Sequence, residues 1–282
     1  MDIKVVGVIG AGQMGAGIAQ IVAANGYTVI LNDIKEELCA KAVSGIKQML
    51  DKRVAQGKEL QENVDKIMEN ISFTENMQEL SKCDLVVEAI PENLALKQEL
   101  FASLGRICRK DTLLCTNTSS LSITDIMSQC SNQERCVGMH FFFPVVIMRL
   151  VEIIRTSSTS NATVEKIKAF SADLGKTAVL CKTDTPGFIV NRCLFAFMLE
   201  AISCYRDGVA SIEDIDTAMK MGLNHPLGPF EMMDLSGLDT FPHVCESLES
   251  LPVTDWSTPS SVLELVNDGK FGRKNGQGWY NY

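Results

Sequence analysis

The chain opens on Lys4-Val5-Val6-Gly7-Val8-Ile9, a short β-branched run of the kind buried on both faces of a parallel sheet. A glycine-rich turn follows, then an apolar stretch that predicts a helix ending near Asn25-Gly26. Thr28 to Asp33 is again strand-like, so the first thirty residues or so read as strand, helix, strand. Leu38, Ala42, Ile46, Met49, Leu50 and Val54 recur at helical spacing, and residues 35–70 predict two long helices interrupted at Gly57. Strands are expected at 84–90, 112–116 and 135–141, with a helix from Glu92 to Leu104 between the first two. The alternation continues with a strand at 149–154, a helix at 161–174 and a strand at 177–181. After Thr183-Asp184-Thr185-Pro186-Gly187 the pattern turns wholly helical. Helices are expected from Phe188 to Arg206, from Ser211 with Asp214 at capping-box spacing, and near 228–250 and 259–268. The tail from Phe271 to Tyr280 is glycine-rich and irregular. The expected fold class is therefore α/β over 1–184, with the helical pair 35–70 inserted, followed by an all-α domain over 185–282.

Composition narrows the partners. A length of 282 residues suits two domains, and 46% hydrophobic residues is ordinary for a globular chain. A net charge of −9 sets nucleic-acid binding aside, since such proteins carry a basic surplus or stripe. The ten cysteines are scattered with no C-x-x-C pair, and only three histidines exist, so neither a zinc site nor a disulfide framework is expected. Free thiols point to a reducing compartment, and a cytoplasmic protein is expected. The stretch Val5 to Ala24 is nearly all apolar, but five glycines with Gln13 and Gln20 interrupt it, so neither a signal peptide nor a membrane span is expected.

Gly10-Ala11-Gly12-Gln13-Met14-Gly15 fits G-x-G-x-x-G between a strand and a helix. Gly10 permits the tight turn, Gly12 lets a pyrophosphate approach the backbone, and Gly15 lets helix and strand pack closely. Asp33 ends the second strand 21 residues after Gly12, where a carboxylate accepts from ribose hydroxyls and repels a 2′-phosphate. The first domain thus reads as a Rossmann-type dinucleotide-binding domain selecting NAD over NADP. The other reading is a bare strand–turn–helix without a ligand.

His140 lies at the end of an expected strand in Met139-His140-Phe141-Phe142, and Glu152 interrupts the apolar run Leu150 to Ile154. A carboxylate there is costly to bury without a partner, and a histidine oriented by a carboxylate suits general acid–base catalysis near neutral pH. By pattern alone a packed core histidine is the competing reading.

Several segments extend the argument over nearly the whole chain, in order. They are Gly10 to Ala19, Val86-Val87-Glu88-Ala89-Ile90-Pro91-Glu92-Asn93, Asn117-Thr118-Ser119-Ser120-Leu121, His140-Phe141-Phe142, Pro186 to Arg192, His225-Pro226-Leu227-Gly228-Pro229-Phe230-Glu231 and Phe271-Gly272-Arg273-Lys274. With them the chain resembles the short-chain 3-hydroxyacyl-CoA dehydrogenases, including the bacterial 3-hydroxybutyryl-CoA dehydrogenases. The resemblance implies that His140 is the catalytic base and Glu152 its orienting partner. Ser119 matches the hydroxyl that binds the substrate oxygen, and Asn191 the amide that fixes the substrate; otherwise they are a loop serine and a polar residue early in a helix. Glu92 and Lys97 match positions at the nicotinamide ribose, against a solvated helix face as the plain alternative. Lys274 matches a position near the cofactor, and Gly10, Gly12, Gln13, Met14, Gly15, Asp33 and Asn117 complete the NAD-binding set.

An acyl-CoA substrate needs cations for its phosphates, and Lys52 and Arg53, with Lys47 and Lys58, stand on or beside the 35–70 helical pair; interleaved Asp51 and Glu59 fit a solvated face equally. The resemblance further implies a homodimer through the helical domain. Where the family reads His-Phe-Phe-Asn-Pro this chain has Phe143 before Pro144, and Arg149 stands for the usual lysine. A non-catalytic or weakly active NAD-binding relative, and a hydroxy-acid dehydrogenase acting without CoA, remain the other function classes.

Overall fold

The computed structural model describes residues 3–249, 251 and 256–282. Eight strands make one sheet: β1 (Val5–Ile9), β2 (Thr28–Asn32), β3 (Ile71–Thr74), β4 (Leu85–Glu88), β5 (Leu113–Thr116), β6 (Cys136–Phe141), β7 (Leu150–Ile154) and β8 (Thr177–Cys181). Their order is β3-β2-β1-β4-β5-β6-β7-β8. Every neighbouring pair is parallel except β6 with β7, where the chain turns back on itself and runs antiparallel. The central strands carry apolar residues on both faces because helices cover both sides. Val6, Val8, Val29, Leu31, Leu85, Val87, Val137 and Met139 are buried with Ile18 and Val22 of helix α1 (Gln13–Ala24).

β3 is a strand that the hydrophobic pattern does not announce. Of Ile71-Ser72-Phe73-Thr74 only Ile71 is buried, as befits an edge strand fixed by its backbone ladder to β2. The inserted helices are α2 (Glu36–Ala55) and α3 (Gln61–Glu69), so the second of the expected long pair is short. Helix α4 (Leu94–Ile107) begins after Asn93, whose side chain accepts from the Leu96 N–H at 3.1 Å. Glu92 is therefore outside the helix expected to start there. A single turn, α5 (Ile123–Ile126), and α6 (Asn161–Asp173) complete this unit, which runs to Asp184.

The second unit, from Thr185, contains α7 (Val190–Arg206), α8 (Ile212–Leu223), α9 (Pro229–Ser236), α10 (Phe241–Leu248) and α11 (Ser260–Asn267). α7 starts two residues later than Phe188, which sits at φ 50. Ser211 caps α8 by accepting from the Asp214 N–H at 3.1 Å. The expected helix at 228–250 is two helices, because Gly237 at φ +91 turns the chain between them; residue 250 lies outside the described residues. Phe195, Met198, Ile202, Phe230, Met233, Phe241 and Trp256 form a separate core. The irregular tail is tied down by buried Asp234, which accepts from the Trp279 and Tyr280 N–H groups at 2.9 and 3.0 Å and from the Tyr282 hydroxyl at 3.0 Å. No helix among the described residues is long and apolar enough to cross a membrane.

Candidate active site

The three glycines of the first turn are held to different standards by the chain. At Gly10, with φ +100, an added Cβ would lie 2.5 Å from the Ala89 carbonyl oxygen. At Gly15 it would lie 1.7 Å from the Gly10 carbonyl oxygen. At Gly12 it would meet nothing within 4 Å. The fold itself thus excludes side chains at Gly10 and Gly15. Gly12 has no such internal reason, and it is the N-cap of α1, with no side-chain cap on the helix N–H groups. Bare backbone at a helix N-terminus is what a dinucleotide pyrophosphate requires, so the residues present fit NAD. Asp33 is fixed at the same rim: Oδ2 accepts from the Ala11 N–H at 2.6 Å and Oδ1 from the Ile34 N–H at 2.7 Å. Gln13, exposed, and Met14, half-buried, open the helix beside them.

The sequence reading passes over Glu88, at the C-terminal end of β4. It is fully buried and accepts from the Lys97 ammonium, from the Thr116 hydroxyl at 2.6 Å and from the Ile90 N–H at 2.7 Å. Lys97 is correspondingly buried, and its Nζ also reaches the Ile90 carbonyl at 3.2 Å and Glu92 Oε2 at 3.3 Å. The solvated-helix-face reading of Lys97 is thereby overturned: a cation four residues into α4 points inward because a buried carboxylate waits there. Glu92 in turn clamps the loop after β5. Its Oε1 accepts from the Thr118 hydroxyl, from the Ser119 and Ser120 N–H groups at 3.1 and 3.2 Å, and from the Ser120 hydroxyl at 3.1 Å. Burial pushes the Glu92 carboxyl up, but the Lys97 ammonium and these donors outweigh it and hold the group below its ordinary value. Ser119 is thus presented by a loop whose backbone is fixed on both sides.

His140 and Glu152 are direct cross-strand partners in the antiparallel β6–β7 ladder, so their side chains leave the same face of the sheet. His140 Nδ1 lies 2.8 Å from Glu152 Oε2, and both residues are buried. A carboxylate only accepts, so Nδ1 is the donor in this contact. The Phe142 ring packs on the imidazole with centroids 4.5 Å apart and planes at 47°. Asn117 Oδ1 accepts from the Phe141 N–H at 2.8 Å, which ties the loop after β5 to the strand carrying His140. Phe143 is 60% exposed and is not folded into the core with its phenylalanine neighbours.

The connection between β6 and β7 has its own anchor. Buried Lys176 donates to the Val145 and Met148 carbonyls at 2.6 and 2.7 Å. Burial lowers the pKa of this ammonium from its ordinary value. Val145 is also seated against α1, where a Cβ at Gly17 would fall 2.9 Å from the Val145 Cβ.

The remaining residues belong to other elements. Asn191 is in the first turn of α7, in the helical unit. In the same unit Lys274 pairs with Asp239 and lies 5.3 Å from the Phe271 ring centroid. Lys52 and Arg53 occupy the last turn of α2, where Arg53 donates to the Lys58 carbonyl at 3.4 Å; Lys47 pairs with Asp51 at 2.7 Å.

Comparison with known proteins gives this arrangement a family. Residues 5–185 match the NAD binding domain of 3-hydroxyacyl-CoA dehydrogenase, and residues 187–282 match its C-terminal domain. The chain is 46% identical over 290 residues to the mitochondrial hydroxyacyl-coenzyme A dehydrogenase of Homo sapiens, covering 99% of this chain and 91% of that one. It is 41% identical over 283 residues to a probable 3-hydroxybutyryl-CoA dehydrogenase of Bacillus subtilis, covering 100% and 98%. The crystal structure of (S)-3-hydroxybutyryl-CoA dehydrogenase from Ralstonia eutropha matches with a TM-score of 0.95 and 37% identity over 100% of this chain and 99% of that one. A glycine turn that leaves bare helix backbone for a dinucleotide, and two domains matched end to end, make this chain a member of the 3-hydroxyacyl-CoA dehydrogenase family, an NAD-dependent enzyme.

Proposed function

We propose that the enzyme interconverts 3-hydroxyacyl-CoA and 3-oxoacyl-CoA thioesters, 3-hydroxybutyryl-CoA and acetoacetyl-CoA among them, with His140 and Glu152 as its acid–base pair. The observation that carries this reading is the 2.8 Å contact between His140 Nδ1 and Glu152 Oε2 on paired strands. NAD, held at Gly10 to Gly15 and Asp33, supplies the hydride acceptor or donor when bound. His140 Nε2 takes the proton of the 3-hydroxyl group in oxidation and returns it to the 3-oxo oxygen in reduction. Glu152 holds the imidazole in the tautomer that leaves Nε2 basic, and its charge steadies the imidazolium. Ser119 and Asn191 donate hydrogen bonds to the substrate. Glu92, Lys97 and Asn117 set the loop on which Ser119 stands, Lys274 adds a cation for the cofactor, and Lys52 and Arg53 attract the CoA phosphates.

The enzyme is proposed to act as a cytoplasmic homodimer through its helical unit. Ten cysteines without a disulfide support a reducing compartment, and the exposed Val209, Met221 and Leu223 support an apolar contact surface. NADH oxidation with acetoacetyl-CoA tests the assignment. Turnover that is faster with NADH than with NADPH is expected, because Asp33 would repel a 2′-phosphate. A folded protein that binds NADH and turns over neither acetoacetyl-CoA nor a longer 3-oxoacyl-CoA would instead be the non-catalytic relative that the exposed Phe143 favours.

A further inference from the structure

Away from the site just described, the entry to β6 gathers a second set of reactive groups. Cys130 and Cys136 flank a short 3₁₀ turn, Gln133–Arg135, and their sulfur atoms lie 3.7 Å apart with the Cys136 thiol donating to Cys130. Both are buried, Cys136 fully and Cys130 with 5% of its surface exposed. Gly105 of α4 leaves the room for this approach, since a Cβ there would come within 3.3 Å of the Cys130 sulfur.

Between the two cysteines is Arg135, itself buried. Its Nη1 donates to the Arg109 carbonyl and, at 3.3 Å, to the Thr112 carbonyl; its Nη2 donates to the Gly105 carbonyl at 3.4 Å. Its Nε is buried without a hydrogen-bond partner among the described residues. A buried guanidinium surrounded by carbonyls still needs an anion, and the ionisable groups it acts on here are the thiols of Cys130, Cys108 and Cys136. The two cysteines of the pair divide the consequence. The hydrogen bond from Cys136 and the guanidinium beside it outweigh burial and lower Cys130 from its ordinary value, while the same hydrogen bond and burial raise Cys136.

We propose that Cys130 and Cys136 are a peroxide-sensitive thiol pair in which Cys130 is the attacking sulfur and Cys136 the resolving one. The Cys130 thiolate attacks one oxygen of hydrogen peroxide; a sulfur–oxygen bond forms, the oxygen–oxygen bond breaks, and the leaving oxygen departs as water after protonation. The Cys136 sulfur then attacks the sulfenic sulfur; the disulfide forms, the sulfur–oxygen bond breaks, and the oxygen leaves with the Cys136 proton as a second water. Two thiols and one peroxide thus become one disulfide and two waters. The sulfurs have to close from 3.7 Å to a bond of about 2.05 Å. Cys193 is exposed but has neither a neighbouring thiol nor a buried cation described beside it, and it serves as the internal reference.

Trypsin cuts after Arg135, between the two cysteines, so a disulfide would join peptide 111–135 to peptide 136–149. The full-length protein, fully reduced, is treated with equimolar hydrogen peroxide, quenched with an alkylating agent and digested. The joined peptides should appear, vanish on reduction, and fragment to a Cys130–Cys136 link. Cys130 should lose its free thiol at least about ten-fold faster than buried Cys39 and Cys245. In a Cys136→Ser protein the sulfenic acid should persist at Cys130 and be trapped by dimedone. A link through Cys115 instead of Cys130, or Cys193 oxidised to completion while Cys130 and Cys136 stay reduced, would overturn the proposal. The wild-type measurement stands whether or not the serine variant folds.

Discussion

Glu88 and Glu152 are both fully buried carboxylates on strands of one sheet, and the chain treats them in opposite ways. Glu88 is matched by the Lys97 ammonium and by a hydroxyl and an N–H group. Glu152 is matched by His140, the side chain type that exchanges a proton near neutral pH. The carboxylate paired with lysine holds a turn in place, through the Ile90 N–H and the Ile90 carbonyl that Lys97 also reaches. A carboxylate paired with histidine has a partner whose charge can follow a reaction. Burial alone therefore does not separate architecture from chemistry; the identity of the partner does.

The largest expected effect falls on the histidine pair. His140→Ala should lower kcat for acetoacetyl-CoA reduction by roughly 10²–10⁴-fold. Glu152→Gln should lower kcat in the same direction, with NADH affinity little changed. A folded His140→Ala protein retaining near-full kcat would make the pair merely structural and erase the contrast with Glu88. The lysine pair should fail differently. Lys97→Met leaves Glu88 buried without its cation and should cost about 3–5 kcal/mol of stability, read from denaturant unfolding. If that variant unfolds at the wild-type midpoint, Glu88 is not held by Lys97 in the way its contacts imply.

Ser119→Ala and Asn191→Ala sharpen the comparison on the substrate side. Each should reduce kcat by about ten-fold or more if it stabilises the transition state. A change confined to KM would assign either residue to uniform substrate binding. The smallest effect is expected at Phe143. Phe143→Asn should raise kcat/KM for acetoacetyl-CoA at least about five-fold, on the scale of about one recovered hydrogen bond. An unchanged value in a stable variant would show that the exposed ring is an accommodated part of the site.

Much of this was legible in the chain, and what escaped has physical reasons. β1, α1 and β2 announce themselves because buried parallel strands are continuous apolar runs and the glycines between them have few other uses. The members of the histidine pair are twelve residues apart, and their contact follows only once β6 and β7 are antiparallel neighbours. β3 was hidden because an edge strand with one buried residue has little apolar signal. Glu88 carries no signal of its own because a charge after Leu85-Val86-Val87 reads like the end of a strand, and its partner lies on a different element. The plain alternative to the ribose match of Lys97, a surface charge, arises for the same reason: helical spacing compares it with its own helix, not with β4. The split between α9 and α10 was masked by apolar positions on both sides of Gly237.

The antiparallel turn between β6 and β7 has a consequence for how this enzyme can be altered. Opposed positions in a hairpin are set by the ladder, so residues added at the tip lengthen the turn without changing which face His140 and Glu152 share. A residue added within either strand would instead rotate one member of the pair to the other side of the sheet. The segment 143–148 is thus a place for loop grafting, provided that Val145 keeps its seat on Gly17 and the two carbonyls taken by Lys176 are retained. Exchange of the exposed side chains Phe143 and Ile147 for those of other family members would vary the surface of this turn while leaving the pairing of His140 with Glu152 to the strands.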